Sequence, residues 1–332
     1  MAEYKAIRGH TIRTIAGDAS PLITGDIWYS STTRKIRGAK KPAGTWASGG
    51  DLNRTRNQGR QIMKGAGPST AAIAVAGYYT AANPQAIALV ETYDGSSWTE
   101  VGDVNTARWN IGTAGTQTAT LAAAGEISGD PATVSDTEEF NGTSWTEVTN
   151  LDTDRGGGAG CGTQTAALFI GGVANTTVSV LVEEYDGTNW TEIADINTGR
   201  KQYASFQKGT TTAAMIACGY TTTFVDITET FDGSTWTEVG DANTARNYLG
   251  GFGTAASGLI FGGESPSLVD VVEEWDGTSW TETTDLPQNT QTMGGAGTGT
   301  SGIAYGGTSA TTPLATTLEW ARATAAVTFT SS

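Results

Sequence analysis

Apolar positions along this chain come in short runs, each four to seven residues long, set between stretches of Gly, Ala, Thr and Ser. A stretch such as IGTAGTQTA leads into an apolar run such as AALFI. A glycine closes each run, at Gly77, Gly125, Gly172, Gly219, Gly263 and Gly307. In three places it is a pair, Gly171–Gly172, Gly262–Gly263 and Gly306–Gly307; elsewhere Ala76, Ala124 or Cys218 stands first. A variable segment follows, then a second strand-like run ending in an aromatic: Tyr93, Phe140, Tyr185, Phe231, Trp275 or Trp320. After the first five of these come Asp-Gly or Asn-Gly and a Trp. Asx-Gly between two strand-like runs is the strongest short hairpin signal, because both turn residues need positive φ. Thr, Val and aromatics dominate the runs and no long stretch keeps a helical period, so the pattern predicts an all-β chain.

The units are near copies of one another. ETYDGSSWTEVGDVNTAR ends at Arg108, EEFNGTSWTEVTNLDTDR at Arg155, EEYDGTNWTEIADINTGR at Arg200 and ETFDGSTWTEVGDANTAR at Arg246. EEWDGTSWTETTDLPQNTQ follows, read here with Gln291 in place of the Arg, and a shorter copy upstream ends at Arg56. The tryptophans Trp46, Trp98, Trp145, Trp190, Trp236 and Trp280 are 52, 47, 45, 46 and 44 residues apart. A period of that size indicates a propeller or a solenoid with one supersecondary unit per repeat. Four strands per unit cannot bury both faces alone, and ring closure buries each blade between two neighbours. Counting gives six blades. The last fails after Trp320, where Ala321 and Arg322 replace the turn and Ala325 replaces the Trp. Its missing outer strand comes either from the N-terminal side, around Trp46, or from 326–330. The Trp and the aromatic before the turn are read as packing between blades, each ring contributing about 1.5–3 kcal/mol.

The order Arg, apolar strand, Gly-Gly, aromatic, Trp resembles the kelch repeat, and the resemblance covers 46–320. It implies a six-bladed kelch-type β-propeller with a short N-terminal β-hairpin extension. The domains expected are a basic arm and hairpin at 1–42, the propeller at 43–325 and a C-terminal strand or tail at 326–332.

Charge divides the chain unevenly. Net charge is −15, made of +8 over residues 1–64 (12 Lys/Arg, 4 Asp/Glu) and −23 over the remainder (7 Lys/Arg, 30 Asp/Glu). An acidic body repels nucleic acid and anionic membrane, and the basic arm lacks the interleaved aromatics of a nucleic-acid site. No apolar run reaches the length of a membrane span, and the N-terminus shows no hydrophobic signal core. Cys161 and Cys218 fall at different strand positions and read as buried thiols rather than a disulfide.

Residues 25–38, GDIWYSSTTRKIRG, read as a hairpin: strand Ile27 to Tyr29, turn Ser30 to Thr33, return Lys35 to Arg37. The phrase resembles a short module near the N-termini of bacteriophage tail-fibre and other virion proteins. The uniform Thr/Ala/Gly units resemble repeat proteins of environmental phages. Together these resemblances imply a virion protein, made in the bacterial cytoplasm and assembled onto particles. It would hold other virion proteins through its arm at Trp28, Tyr29, Arg34, Lys35, Arg37, Lys40 and Lys41. A homo-oligomer on the particle fits the same picture.

Catalysis finds little support. Copper-radical oxidases and sialidases are enzymes built on propellers. The first need several histidine ligands and the second an arginine cluster with a Tyr nucleophile. This chain has one histidine, His10, outside the repeats. That also excludes a Ser-His-Asp set. The repeat arginines are read as pins of their own blades, bonding backbone carbonyls or a neighbour's Asp. The adjacent Glu residues alternate across a strand and cannot form one carboxylate pair. No cofactor is expected. Two readings remain: a tail-fibre or tail-associated protein whose loops contact a host-surface receptor such as a glycan, or a capsid or tail decoration protein touching only virion partners. A propeller glycosidase ranks behind both. Antiparallel topology puts the turns between strands 1 and 2 and between 3 and 4 at one end, where GTQTA and DGTSW are uniform. The other end carries the divergent segments and the candidate contacts Tyr78, Tyr79, Trp109, Tyr203, Tyr220, Phe224 and Tyr248.

Overall fold

The structure is a computed structural model that describes residues 13–21, 26–40, 42–55, 64–79, 86–128, 133–310, 312–323 and 325–328. Among these residues there are strands and turns and no helix, hence no helix long and apolar enough to cross a membrane. The chain divides into two compact units, Thr45–Trp320, and Met1–Gly44 together with Ala321–Ser332.

Among the described residues the larger unit holds six four-stranded sheets, five of them each built from one sequence repeat. In the second, Gly112–Thr116, Ala119–Glu126, Thr133–Phe140 and Trp145–Glu147 lie side by side in chain order. The sixth takes Gly294–Thr298, Ser301–Tyr305 and Thr317–Ala321, and completes itself with Thr45–Ser48. Of the two closures the sequence allowed, the N-terminal one is found. Trp46 enters the sixth sheet's core against Phe252, Phe261 and Trp320, its centroid 5.1 Å from the Trp320 ring. The first strands of successive sheets neighbour one another, and Gly294–Thr298 neighbours Lys64–Ala66, so the contacts return to their start.

The core is distributed accordingly, one cluster between each pair of adjacent sheets. Val75, Val90, Phe140 and Trp145 join the first and second. Tyr93, Trp98, Ile303 and Tyr305 join the first to the sixth. In five repeats the Trp packs on the aromatic before its turn, stacked for Phe231 and Trp236 at 5.1 Å and tilted in the others, and two of the indoles donate a hydrogen bond to a hydroxyl of the preceding sheet. The Trp98 indole donates to the Thr317 hydroxyl at 2.8 Å and the Trp280 indole to the Thr228 hydroxyl at 3.0 Å. At the uniform end, Gln117 Nε2 donates to the carbonyls of Ala72 and Tyr93 in the preceding sheet, and Gln164 repeats this on Thr120 and Phe140. The repeated GTQT turn is therefore a packing device.

The repeat arginines are pins, but their acidic partner differs from expectation. Arg108, Arg155, Arg200 and Arg246 are fully buried and pair with Glu138, Glu183, Glu229 and Glu273, at 2.5 Å for Arg108 and Arg200. Each partner is a Glu on the third strand of the same sheet, two residues before the aromatic, rather than a neighbour's Asp. Its other oxygen accepts a backbone N–H, from Asn105, Asp152, Asn197 or Asn243. Arg56 lies outside the described residues. The second acid of the pair does a separate task. Glu139 accepts from the Tyr185 hydroxyl of the next sheet at 3.1 Å, and Glu319 from Tyr93 at 2.5 Å. Burial, reinforced by Glu319, raises the Tyr93 hydroxyl to about 12.

The sixth repeat departs at one residue earlier than the sequence alignment placed it. Gly263 N–H bonds the carbonyl of Thr290 as Gly219 N–H bonds that of Arg246, and Gln291 bridges Thr308 as Asn247 bridges Glu264. Thr290 thus stands where the arginine does elsewhere, and Gln291 is the next residue. Counting from the Trp agrees: Thr290 follows Trp280 by ten residues, as Arg246 follows Trp236.

Where the leading glycine of the pair is replaced, the backbone stays left-handed: Ala76, Ala124 and Cys218 have φ of 55°, 60° and 62°, beside 49° at Gly171. Each of the three marks a β-bulge after which the strand runs on. Both cysteines are free and buried, and burial pushes each thiol up to about 12.

In the smaller unit Ile27–Ser30 pairs with Lys35–Lys40 across a turn at 31–34, as the hairpin reading expected. Arg13–Ile15 lies parallel to Ile27–Ser30, and Ala325–Thr328 pairs with Lys35–Lys40. The C-terminal strand does not close the sixth sheet but adds to the hairpin, and it belongs with Met1–Gly44 to the smaller unit. Ala325–Thr328 has no Asx-Gly turn or Trp to place it in a repeat sheet, and the outer position there is already filled by Thr45–Ser48.

Candidate functional site

The divergent end is built from two kinds of segment, the connection from each sheet's fourth strand to the next sheet's first, and the loop between second and third strands. In the five connections described at this point, the second residue after the arginine position is left-handed: Asn110, Gly157, Gln202, Tyr248 and Thr292 have φ of 55°, 68°, 59°, 54° and 63°. Non-glycine residues seldom adopt this region, and such strain gathers where a surrounding structure imposes it. The imposing structure is a relay of backbone hydrogen bonds from sheet to sheet. Gly157 N–H donates to Asn110 O at 2.9 Å, Gln202 N–H to Gly157 O at 3.2 Å, Tyr248 N–H to Gln202 O at 2.9 Å and Thr292 N–H to Tyr248 O at 2.6 Å.

The relay repeats but its side chains do not. The two residues after the arginine are Trp-Asn, Gly-Gly, Lys-Gln and Asn-Tyr in successive repeats. Over the glycines a cavity of about 320 Å³ opens, lined by Asn110, Glu126, Gly157, Lys201, Gln202 and Tyr248 among others. A Cβ on Gly156 would come within 2.7 Å of Glu126 Cγ, so a side chain there would have to displace that of Glu126. A Cβ on Gly157 would meet nothing closer than Lys201 Cβ at 3.8 Å, so there the space is open.

The walls carry complementary groups. Glu126 accepts from the Trp109 indole at 3.1 Å and from Asn110 Nδ2 at 2.8 Å, one bond on each carboxylate oxygen. Gln202, 7% exposed, accepts through Oε1 from Asn247 Nδ2 at 3.1 Å. Its Nε2 has no protein partner among the described residues. The Lys201 ammonium lies 6.0 Å from the Tyr220 ring centroid and makes no ion pair among the described residues. Tyr78 packs edge-on against Trp109 at 5.1 Å, and Tyr220 against Phe224 at 5.7 Å.

Of the contact residues expected from sequence, Tyr78, Tyr79, Trp109, Tyr220 and Phe224 are half-buried at this end. Tyr248 is 5% exposed and lines the cavity. Tyr203 is corrected to a core residue: it is 1% exposed, its hydroxyl bonds the Ile170 carbonyl, and burial raises its hydroxyl well above the ordinary range. It begins the run into the fourth sheet's first strand and faces inward. Glu126, Lys201 and Gln202 were not singled out from the sequence. The signal that could have found them is Gly156–Gly157–Gly158 after Arg155, a run of missing side chains where sister repeats carry large ones.

In the smaller unit, Trp28 is 2% exposed with its indole bonded to Gly17 O at 3.2 Å, so it cannot offer its ring to a partner, in contrast to expectation. Arg37 pairs with Asp18 at 3.2 Å. Arg34 and Lys35 are exposed, Tyr29 is half-buried, Lys41 lies outside the described residues and the Lys40 side chain is likewise not described. Ile27 and Ile36 are exposed at 39% and 42%, on the face of the hairpin that also carries Tyr29.

Among the described residues no three His, Cys, Asp or Glu gather as a metal site. These features define an all-β protein of β-propeller-like fold with a polar cavity at its variable end. The solved structure of YjhT is similar to it over 83% of this chain and 99% of that one, with a TM-score of 0.67 and 11% identity. At that identity the likeness shows the fold alone. No protein-family model matches the chain, and no curated protein matches it.

Proposed function

We propose that the chain is a six-bladed kelch-type propeller of a bacteriophage virion, tail-fibre or tail-associated and non-enzymatic, which contacts a host-surface glycan through its divergent end. The observation that carries this reading is the confinement of variation. One end repeats the same turns, used for packing between sheets, while the other varies from repeat to repeat and holds the cavity. Scaffold repeated and loops varied is the arrangement of a recognition surface. The wording of GDIWYSSTTRKIRG and of the Thr/Ala/Gly units supports the virion setting. Exposed Ile27 and Ile36, with Arg34 and Lys35 beside them, suit the terminal unit to another virion protein. Shallow loops bury little area, so each contact is weak and many copies on one particle supply avidity.

Particles carrying Tyr220→Ala and Phe224→Ala are expected to assemble normally and to adsorb to host cells more slowly. Normal adsorption with failed assembly would instead favour a decoration protein that touches virion partners only.

A further inference from the structure

The geometry points to the cavity over Gly157 as a binding subsite for a single sugar ring, held by Glu126, Lys201 and Gln202. This deepens the reading of the divergent end as a glycan-contacting surface, and rests on it.

Three observations converge. The first is a built vacancy. Four of the five equivalent relay positions carry a side chain at nearly the same φ, and only Gly157 carries none. The cavity lies at that gap, and its volume of about 320 Å³ falls at the small end of ligand sites, which span roughly 300–1,000 Å³. The second is a prepared acceptor. Trp109 and Asn110 each take one lone pair of the Glu126 carboxylate, fixing its plane, and each oxygen keeps a further lone pair. Two neighbouring acceptor sites on one carboxylate match the spacing of adjacent hydroxyls. The third is a set of donors with work left to do. The single bond from Asn247 to Gln202 Oε1 orients that amide, and leaves the Nε2 donor of a side chain more than nine-tenths buried on the cavity wall. Lys201 lines the same cavity, on a side chain whose ammonium lies 6.0 Å from the Tyr220 ring centroid.

A sugar hydroxyl both donates and accepts. One that donates to Glu126 accepts from Lys201 or Gln202 in turn, and bonds to charged groups are the stronger kind. Ligands rich in hydroxyls use such alternating acceptors and donors together. An apolar ligand would leave the Gln202 donor unpaired, at the cost of a buried polar group.

The test uses the purified full chain and a panel of free D-hexoses and their N-acetyl forms, with saturation-transfer-difference NMR as readout. At least one sugar of the panel is expected to give signals with the wild type. Gly157→Asn fills the gap with the residue the second repeat uses at the same φ, so the variant should fold and melt as the wild type does. It is expected to abolish the signals. Lys201→Met keeps the stem and removes the ammonium, and should weaken binding about tenfold. Absence of signals with every sugar of the panel, or signals that persist in Gly157→Asn, would overturn the assignment. The outcomes separate from those for host contact: if no sugar binds but the Tyr220 and Phe224 variants still slow adsorption, this subsite fails and the attachment reading stands. Sugar binding lost in Gly157→Asn with adsorption unchanged keeps the subsite and removes its role in attachment.

Discussion

Thr290, Pro287 and Leu318 occupy, in the sixth repeat, the positions of an Arg, an Asn and a Glu in the fifth. In the fifth, Glu273 takes Arg246 on one oxygen and the Asn243 N–H on the other. The sixth has no carboxylate, no guanidinium and, because Pro287 has no N–H, no donor needing an acceptor. All three are exchanged together, as expected for a buried ion pair that is costly to break and inexpensive to replace whole. Arg200→Thr alone should therefore cost about 3–5 kcal/mol, since it strands Glu229 in a fully buried site. The triple variant Asn197→Pro, Arg200→Thr, Glu229→Leu should recover most of that loss, and denaturant melts of the two would show it. The exposed turns make a second prediction at this scale. Asp94 accepts from the Ser97 N–H and from the Ser96 hydroxyl and N–H, and these bonds hold its carboxyl down at about 2; the Thr235 and Ser234 groups do the same for Asp232. A folded value below the ordinary 3.8 means the ionised form favours the fold. That contribution is complete above the unfolded value and disappears as pH falls from 3.8 towards about 2. Asp94→Asn with Asp232→Asn, a choice the chain already makes at Asn141, should flatten the dependence of Tm on pH across that window. An unchanged slope would contradict the turn assignment.

At the scale of elements, much was legible because repetition averages out local ambiguity. One Asx-Gly turn marks one hairpin, but five in register with a Trp place the third and fourth strands of five sheets. The closure by Thr45–Ser48 was legible as an alternative, since the Trp missing after Trp320 had a counterpart at Trp46. The place of the C-terminal strand was not, because 325–328 lacks the turn and the Trp that mark a repeat, and its pairing with Lys35–Lys40 depends on contacts across almost the whole chain. The cavity was hidden for a different reason: it is made by what Gly156 and Gly157 lack, whereas the sequence reading looked for aromatics present. That search also took Tyr203 for a surface residue, although its neighbour in sequence enters a buried inner strand. The closure has its own test. A chain trimmed to 45–320, which lacks only Ala321 of the sixth sheet's third strand, should melt cooperatively. Removal of the strand's own anchor by Trp46→Ala should cost about 3 kcal/mol through the lost contacts with Phe252, Phe261 and Trp320. A melt of 45–320 that is broad and non-cooperative would contradict a self-contained unit.

For the whole molecule, the uneven charge and the unequal ends are the features that set a direction. The first 64 residues carry +8 and the rest −23. The positive charge of this terminal segment suits an acidic partner, and such docking weakens with salt because exposed pairs are screened beyond about 8–10 Å at physiological ionic strength. Deleting 1–42 and 324–332 together, so that no orphaned edge of the terminal sheet remains, should leave a folded propeller that no longer joins particles. Normal occupancy of the truncated chain would show that the anchor lies elsewhere. Under the proposed function the divergent end contacts the host and the terminal unit contacts another virion protein. A reconstruction of the assembled particle at side-chain resolution tests this directly. It should show the loops around Trp109, Gly157 and Tyr220 open to the outside and Ile27, Ile36, Arg34 and Lys35 against another virion protein. Density with those loops packed into the particle and the uniform DGTSW turns facing outward would contradict it, as would particles that lack the chain.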